Sequence, residues 1–125
     1  MKVRVTKKSI RESYNNNIIC VPYCALQHLL TFSEELYYTT RVEGWGCDIY
    51  IVRSSTGMRY ALTTGYAPFG NIKPSSALCK RFDDKAWEMY NQRYDSNKDI
   101  RASFELLIQN FVDATIAECT PTSTR

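Results

Sequence analysis

Histidine is nearly missing from this chain of 125 residues, which holds only His28. General acid–base catalysis needs a group that titrates near the working pH, so one imidazole is the only ordinary candidate. It reads as a structural or surface residue. Also missing are a nucleophile elbow, a Walker loop, a GxGxxG fingerprint and an HExxH helix. Nothing local arranges Ser, His and Asp as a triad. The adjacent Asp83 and Asp84 diverge on a helix and read as a solvated face. The expectation is therefore a protein that is not an enzyme.

Long apolar runs are absent too. A membrane-crossing helix needs about 20 mostly apolar residues, so no membrane partner is expected. The opening segment MKVRVTKKSIRES lacks the apolar core of a signal peptide, and the expected location is the cytoplasm of the cell that makes it. Net charge is only +3 with no dense basic stripe, which argues against duplex nucleic acid as a partner. The five cysteines, Cys20, Cys24, Cys47, Cys79 and Cys119, are odd in number, irregularly spaced and without a CxxC pair. They do not make a disulfide framework, and Cys20-x3-Cys24 lacks further ligands for zinc. Buried thiols are the expectation, with no metal and no cofactor.

Aromatic and β-branched residues are plentiful. The stretch 37–71, YYTTRVEGWGCDIYIVRSSTGMRYALTTGYAPFGN, holds three β-rich runs at 37–42, 47–53 and 58–64, split by EGWG and SSTG. Gly-bearing connections of this length favour hairpins, so an antiparallel meander is expected. If each connection is a four-residue loop, Val42 faces Cys47, Arg41 faces Asp48, Arg53 faces Met58 and Tyr50 faces Ala61. Alternation then gives a core face with Val42, Ile49, Ile51, Tyr60 and Leu62, and a second face with Arg41, Asp48, Tyr50, Arg59 and Thr63. That second face is either a solvated surface with a cross-strand Arg41–Asp48 pair or a surface for a planar anion. A register slip of one residue would exchange the faces.

Before the meander, a short strand at 3–5, a helix at 7–14 and a buried strand at 18–21 are expected. A helix led by Pro22 follows over 23–30, with Leu26, Leu29 and Leu30 as its core residues. After the meander, GYAPFGN makes a stiff loop. Ser75 or Ser76 caps a helix over 77–94, and a second helix covers 99–118. Their apolar stripes are Leu78, Phe82, Ala86, Met89 and Tyr90, then Ile100, Phe104, Leu107, Ile108, Phe111 and Val112. The whole reads as one α+β domain over 1–118, with both C-terminal helices packed on the sheet, and a disordered tail at 119–125. Leu106 and Trp87 lie off the stripes and are candidate subunit contacts. Arg93 falls inside one stripe and Arg101 at the margin of the other. A charge on an apolar face needs a partner: either Arg93 snorkels outward from a frayed turn, or the two arginines flank a cavity that takes an anion.

Binding fits this composition better than catalysis. Nine tyrosines, five phenylalanines and two tryptophans supply flat surfaces. Arg41, Arg59, Arg93 and Arg101 supply planar forks suited to phosphate, and Thr63 and Asn71 supply hydroxyl and amide contacts. A nucleotide needs that mixture.

The blocks ICVPYCALQHLL, YYTTRVEGWGCDIY and ALTTGYAPFGNIKPS, with the β-rich start and two closing helices, resemble the first described family of phage Thoeris anti-defence proteins. The resemblance covers about residues 3 to 116. It implies a sponge in the host-cell cytoplasm. Such a protein binds a cyclic ADP-ribose isomer made by TIR-domain proteins and does not cleave it. It also implies a homo-oligomer, with cyclic oligonucleotides as further ligands at separate sites. By position, the family's arginines, aromatic and asparagine correspond to Arg41, Tyr66 or Phe69, Asn71 and Arg93; Arg101 joins them from the helical pattern alone.

Overall fold

The computed structural model describes residues 17–22, 24–37, 42–44, 47–64, 72–93 and 99–119. The architecture is α+β. Strand β1 is Ile18–Val21, helix α1 is Gln27–Tyr37, and strands β2, β3 and β4 are Val42–Gly44, Cys47–Arg53 and Arg59–Thr64. Helices α2, Ser76–Asn91, and α3, Ile100–Cys119, close the chain. The sheet order is β1-β4-β3-β2. The meander pairs antiparallel, and β1 joins it parallel to β4, with Ile19 beside Leu62. Ile72 bridges the outer edge of β1: Cys20 N–H donates to its carbonyl at 2.8 Å.

Both hairpin registers depart from the four-residue loops expected. In the first, Val42 faces Ile49 and Gly44 faces Cys47. That is a shift of two residues, which preserves the face of each residue. In the second, Ser54 N–H donates to the Met58 carbonyl at 2.9 Å and Gly57 takes φ +89. A three-residue loop ending in a left-handed glycine results, so Tyr50 faces Leu62 and Ile51 faces Ala61. This odd shift exchanges the faces of β4 relative to β3. Tyr50, Val52, Tyr60 and Leu62 join Ile19 and Val21 in the core under the helices. The other face is not an open polar surface, since Ile18, Ile49, Ala61 and Thr63 on it are also buried. Thr63, expected to offer its hydroxyl to a ligand, donates it to the Ile19 carbonyl at 3.3 Å.

Helix α1 starts later and runs further than expected. Pro22 lies in a turn closed by Ala25 N–H donating to its carbonyl, and Cys24 takes φ +73, which helical backbone cannot absorb. From Leu26 on, Leu29, Leu30, Phe32 and Ser33 are buried while Gln27, Thr31 and Glu35 are exposed. This is helical spacing sustained past residue 30, so Tyr37, expected to open a strand, ends a helix.

Helices α2 and α3 follow their stripes. Leu78, Phe82 and Ala86 are buried on α2, and Phe104, Leu107, Phe111 and Val112 on α3. Ser75 caps α2: its Oγ accepts from Leu78 N–H at 3.1 Å and donates to Glu118 Oε2 at 2.8 Å. Its backbone N–H donates to Glu118 Oε1 at 2.6 Å. Ser75→Ala removes the cap and one tie to α3, so a loss of about 1 kcal/mol is expected. Urea denaturation should show a lower midpoint with an unchanged slope; an unchanged midpoint would mean that water replaces the cap at no cost. Helix α3 takes in Cys119, expected in the tail, whose Sγ donates to the Lys73 carbonyl at 3.4 Å. No helix among the described residues is long and apolar enough to cross a membrane. The strand expected at 3–5, the helix at 7–14, the loop at 65–71 and the break at 95–98 lie outside the described residues.

Candidate functional site

Helix α2 carries a row of polar and aromatic side chains along its α1-facing edge: Asp83, Trp87, Tyr90 and, just past its end, Arg93. Spacings of four, three and three residues put these on one side of a helix. The imidazole of His28 lies against the Trp87 ring, with centroids 4.6 Å apart. Trp87 is nearly parallel to Tyr90, at 5.9 Å and 12°. The Arg93 guanidinium carbon sits 3.6 Å from the Tyr90 ring centroid. The row is anchored inward, because Tyr90 meets the buried Phe32 edge-on at 5.3 Å and Phe32 meets Phe104 at 4.6 Å. Its outer side is open: Trp87 is 46% exposed and the His28 side chain 43%.

Asp83 holds the near end of the row. It is buried, not part of a solvated face as the Asp83–Asp84 pair suggested. Its Oδ1 accepts from Leu29 N–H at 2.8 Å. That amide is in the first turn of α1, where no helical carbonyl can reach it and where Leu26 offers no capping oxygen. A carboxylate there also meets the positive end of the helix dipole. Its Oδ2 is 2.8 Å from His28 Nδ1. A carboxylate only accepts, so Nδ1 carries the proton and the lone pair of neutral imidazole sits on Nε2. His28 thus has the carboxylate partner that its neighbours in sequence do not supply.

Of the expected site residues, Arg41, Tyr66, Phe69 and Asn71 lie outside the described residues. Arg93 is half-buried, and its Nη1 donates to the Tyr90 carbonyl at 2.6 Å. It does not simply snorkel outward: a cation on the last carbonyls of a helix meets the negative end of the dipole, and the face of the Tyr90 ring attracts the guanidinium above it. Arg101 is exposed in the first turn of α3. A groove of about 500 Å³ does open between α2 and α3, but its lining includes Lys85, Glu88, Gln92, Ile100 and Ser103, and neither arginine. One charge of each sign gives no field for an anion. The cavity expected to be flanked by Arg93 and Arg101 is not this groove.

A second cleft, of about 530 Å³, is lined by Cys24, Ser76, Cys79, Lys80, Asp83 and Asp84 among others. Its charges are satisfied within the chain. Lys80 donates to Asp84 at 2.9 Å, and Asp83 is held as described. Burial, with the Glu118 and Asp83 carboxylates adding to it, pushes the Cys79 thiol up to about 11. It stays protonated at neutral pH and is a poor nucleophile. Cys24 and Cys119 are exposed, contrary to the expectation of buried thiols.

No protein-family model, curated protein or solved structure matches the chain. The row on α2 therefore bears the functional argument. Sequence reasoning named Arg93 and missed Asp83 and His28. The missed signal was the spacing Cys79, Asp83, Ala86, Tyr90, which puts a carboxylate on the buried side of α2.

Proposed function

We propose that this chain is a phage immune-evasion protein that binds and sequesters a cyclic nucleotide signal, a cyclic ADP-ribose isomer made by TIR-domain proteins, without cleaving it. The observation that carries this reading is the open row of stacked rings ending in a guanidinium. The exposed part of the Trp87 indole offers a surface to a nucleobase, and stacking on an aromatic contributes about 1–3 kcal/mol per base. A guanidinium offers planar donors to phosphate. The resemblance of the three sequence blocks to the Thoeris anti-defence family supplies the class of signal. It also supplies the expectation of a homo-oligomer in the host cytoplasm that takes cyclic oligonucleotides as well.

The test is recovery. The protein is incubated with cyclic ADP-ribose isomers and separated from unbound ligand. It is then denatured by heat, and the supernatant is analysed by chromatography and mass spectrometry. Intact isomer, released only after heating, is the expected result. A linear or hydrolysed product would make the chain an enzyme and overturn the reading.

A second reading is an inhibitor that docks directly on a host defence protein. The exposure of Trp87 and Leu106, at 46% and 55%, favours it, since large apolar side chains on a surface are common contact residues. A stoichiometric host protein captured by the chain, with no nucleotide carried along, would select this reading.

A further inference from the structure

The order of groups along the row assigns an orientation to the guest. Arg93 closes one end and His28 the other, with Trp87 and Tyr90 between them. The phosphate belongs at the guanidinium end, which leaves the base at the imidazole end. There the chemistry is specific. Nδ1 of His28 is committed to Asp83, and Asp83 is itself fixed by Leu29 N–H. Nε2 has no hydrogen-bond partner among the described residues, and the ring is 43% exposed. Neutral imidazole held in this tautomer presents a lone pair and no donor. It can pair with an N–H of the guest but not with a ring nitrogen or carbonyl oxygen.

We propose that His28 is the specificity-determining residue of this face: its Nε2 accepts from the exocyclic amine of an amino-substituted nucleobase lying against Trp87, and Asp83 is the positioning residue that holds the proton on Nδ1 and so leaves the ring's lone pair on Nε2. This rests on the ring-face reading above and adds to it the residue that reads the edge of the base. A base whose edge carries no N–H leaves Nε2 desolvated and unpaired, which is the stronger source of discrimination.

The experiment compares two probes by calorimetry at millimolar concentration: adenosine 5′-monophosphate and purine riboside 5′-monophosphate, which lacks the amine. The wild-type chain is expected to bind the first about tenfold more tightly, the usual worth of one hydrogen bond. His28→Phe keeps a ring against Trp87 but has no acceptor, so the ratio is expected to fall to about one, chiefly through weaker binding of the amino nucleotide. Equal affinities on the wild-type chain, a comparison that needs no variant to fold, overturn the assignment and leave the ring-face reading standing. An unchanged ratio in His28→Phe does the same. Failure of both probes to bind overturns the assignment and the ring-face reading together.

Discussion

Phe104→Ala is expected to destabilise the fold by about 3–5 kcal/mol, the range for emptying a buried aromatic site. Phe104 is fully buried on α3 and touches Phe32 of α1 at 4.6 Å. Phe32 in turn supports Tyr90 of α2 edge-on, so one ring sits where three helices meet. The loss is a large part of the roughly 5–15 kcal/mol that holds a domain of this size together. The cost depends on how far the site can collapse. Phe104→Met keeps most of the volume and is expected to cost under about 1.5 kcal/mol. Urea denaturation followed by circular dichroism measures both. A loss below about 1 kcal/mol in the alanine variant would show that the junction repacks, and that the row on α2 does not depend on it.

The parts of this fold legible in the sequence are those set by local periodicity. Leu78, Phe82 and Ala86, and Phe104, Leu107, Phe111 and Val112, fall on single faces at helical spacing, and those faces are the buried ones. A serine cap for α2, Ser75 or Ser76, follows from the hydroxyls ahead of the stripe, and Ser75 is the one that caps. Register was not legible at this level. Gly57 allows either a three- or a four-residue loop, and one residue of difference moves Tyr50 from the outer face to the core. The end of α1 was obscured because Tyr37 begins a run of strand formers, while the helical pattern behind it extends through Ser33 and Leu36. Intrinsic strand preference is weak against such packing. For the site, Arg93 stood out as a charge inside an apolar stripe. The Asp83–His28 contact joins residues 55 apart, and only the packing of α1 on α2 creates it.

Removal of the Arg93 side chain should leave the fold intact and weaken nucleotide binding by about 1.5–3 kcal/mol, the worth of a hydrogen bond to a charged group. By calorimetry this is roughly a ten- to hundredfold rise in Kd. The structural cost is smaller. The guanidinium stacks on a partly exposed ring, an interaction worth about 0.5–1 kcal/mol, and its bond to the Tyr90 carbonyl is at a helix end that water can reach. Arg93→Lys separates charge from shape. It keeps the cation but loses the planar fork above the Tyr90 ring, so an intermediate affinity is expected. Arg101→Ala provides the contrast. That residue is exposed on the first turn of α3, and removing an exposed charge outside the row should change affinity by less than about 1 kcal/mol. Unchanged affinity in Arg93→Ala, with circular dichroism confirming the fold, would place the phosphate elsewhere. The stacked rings would then lack the group that gives them a polarity, and the orientation assigned to the base at His28 would fail with it.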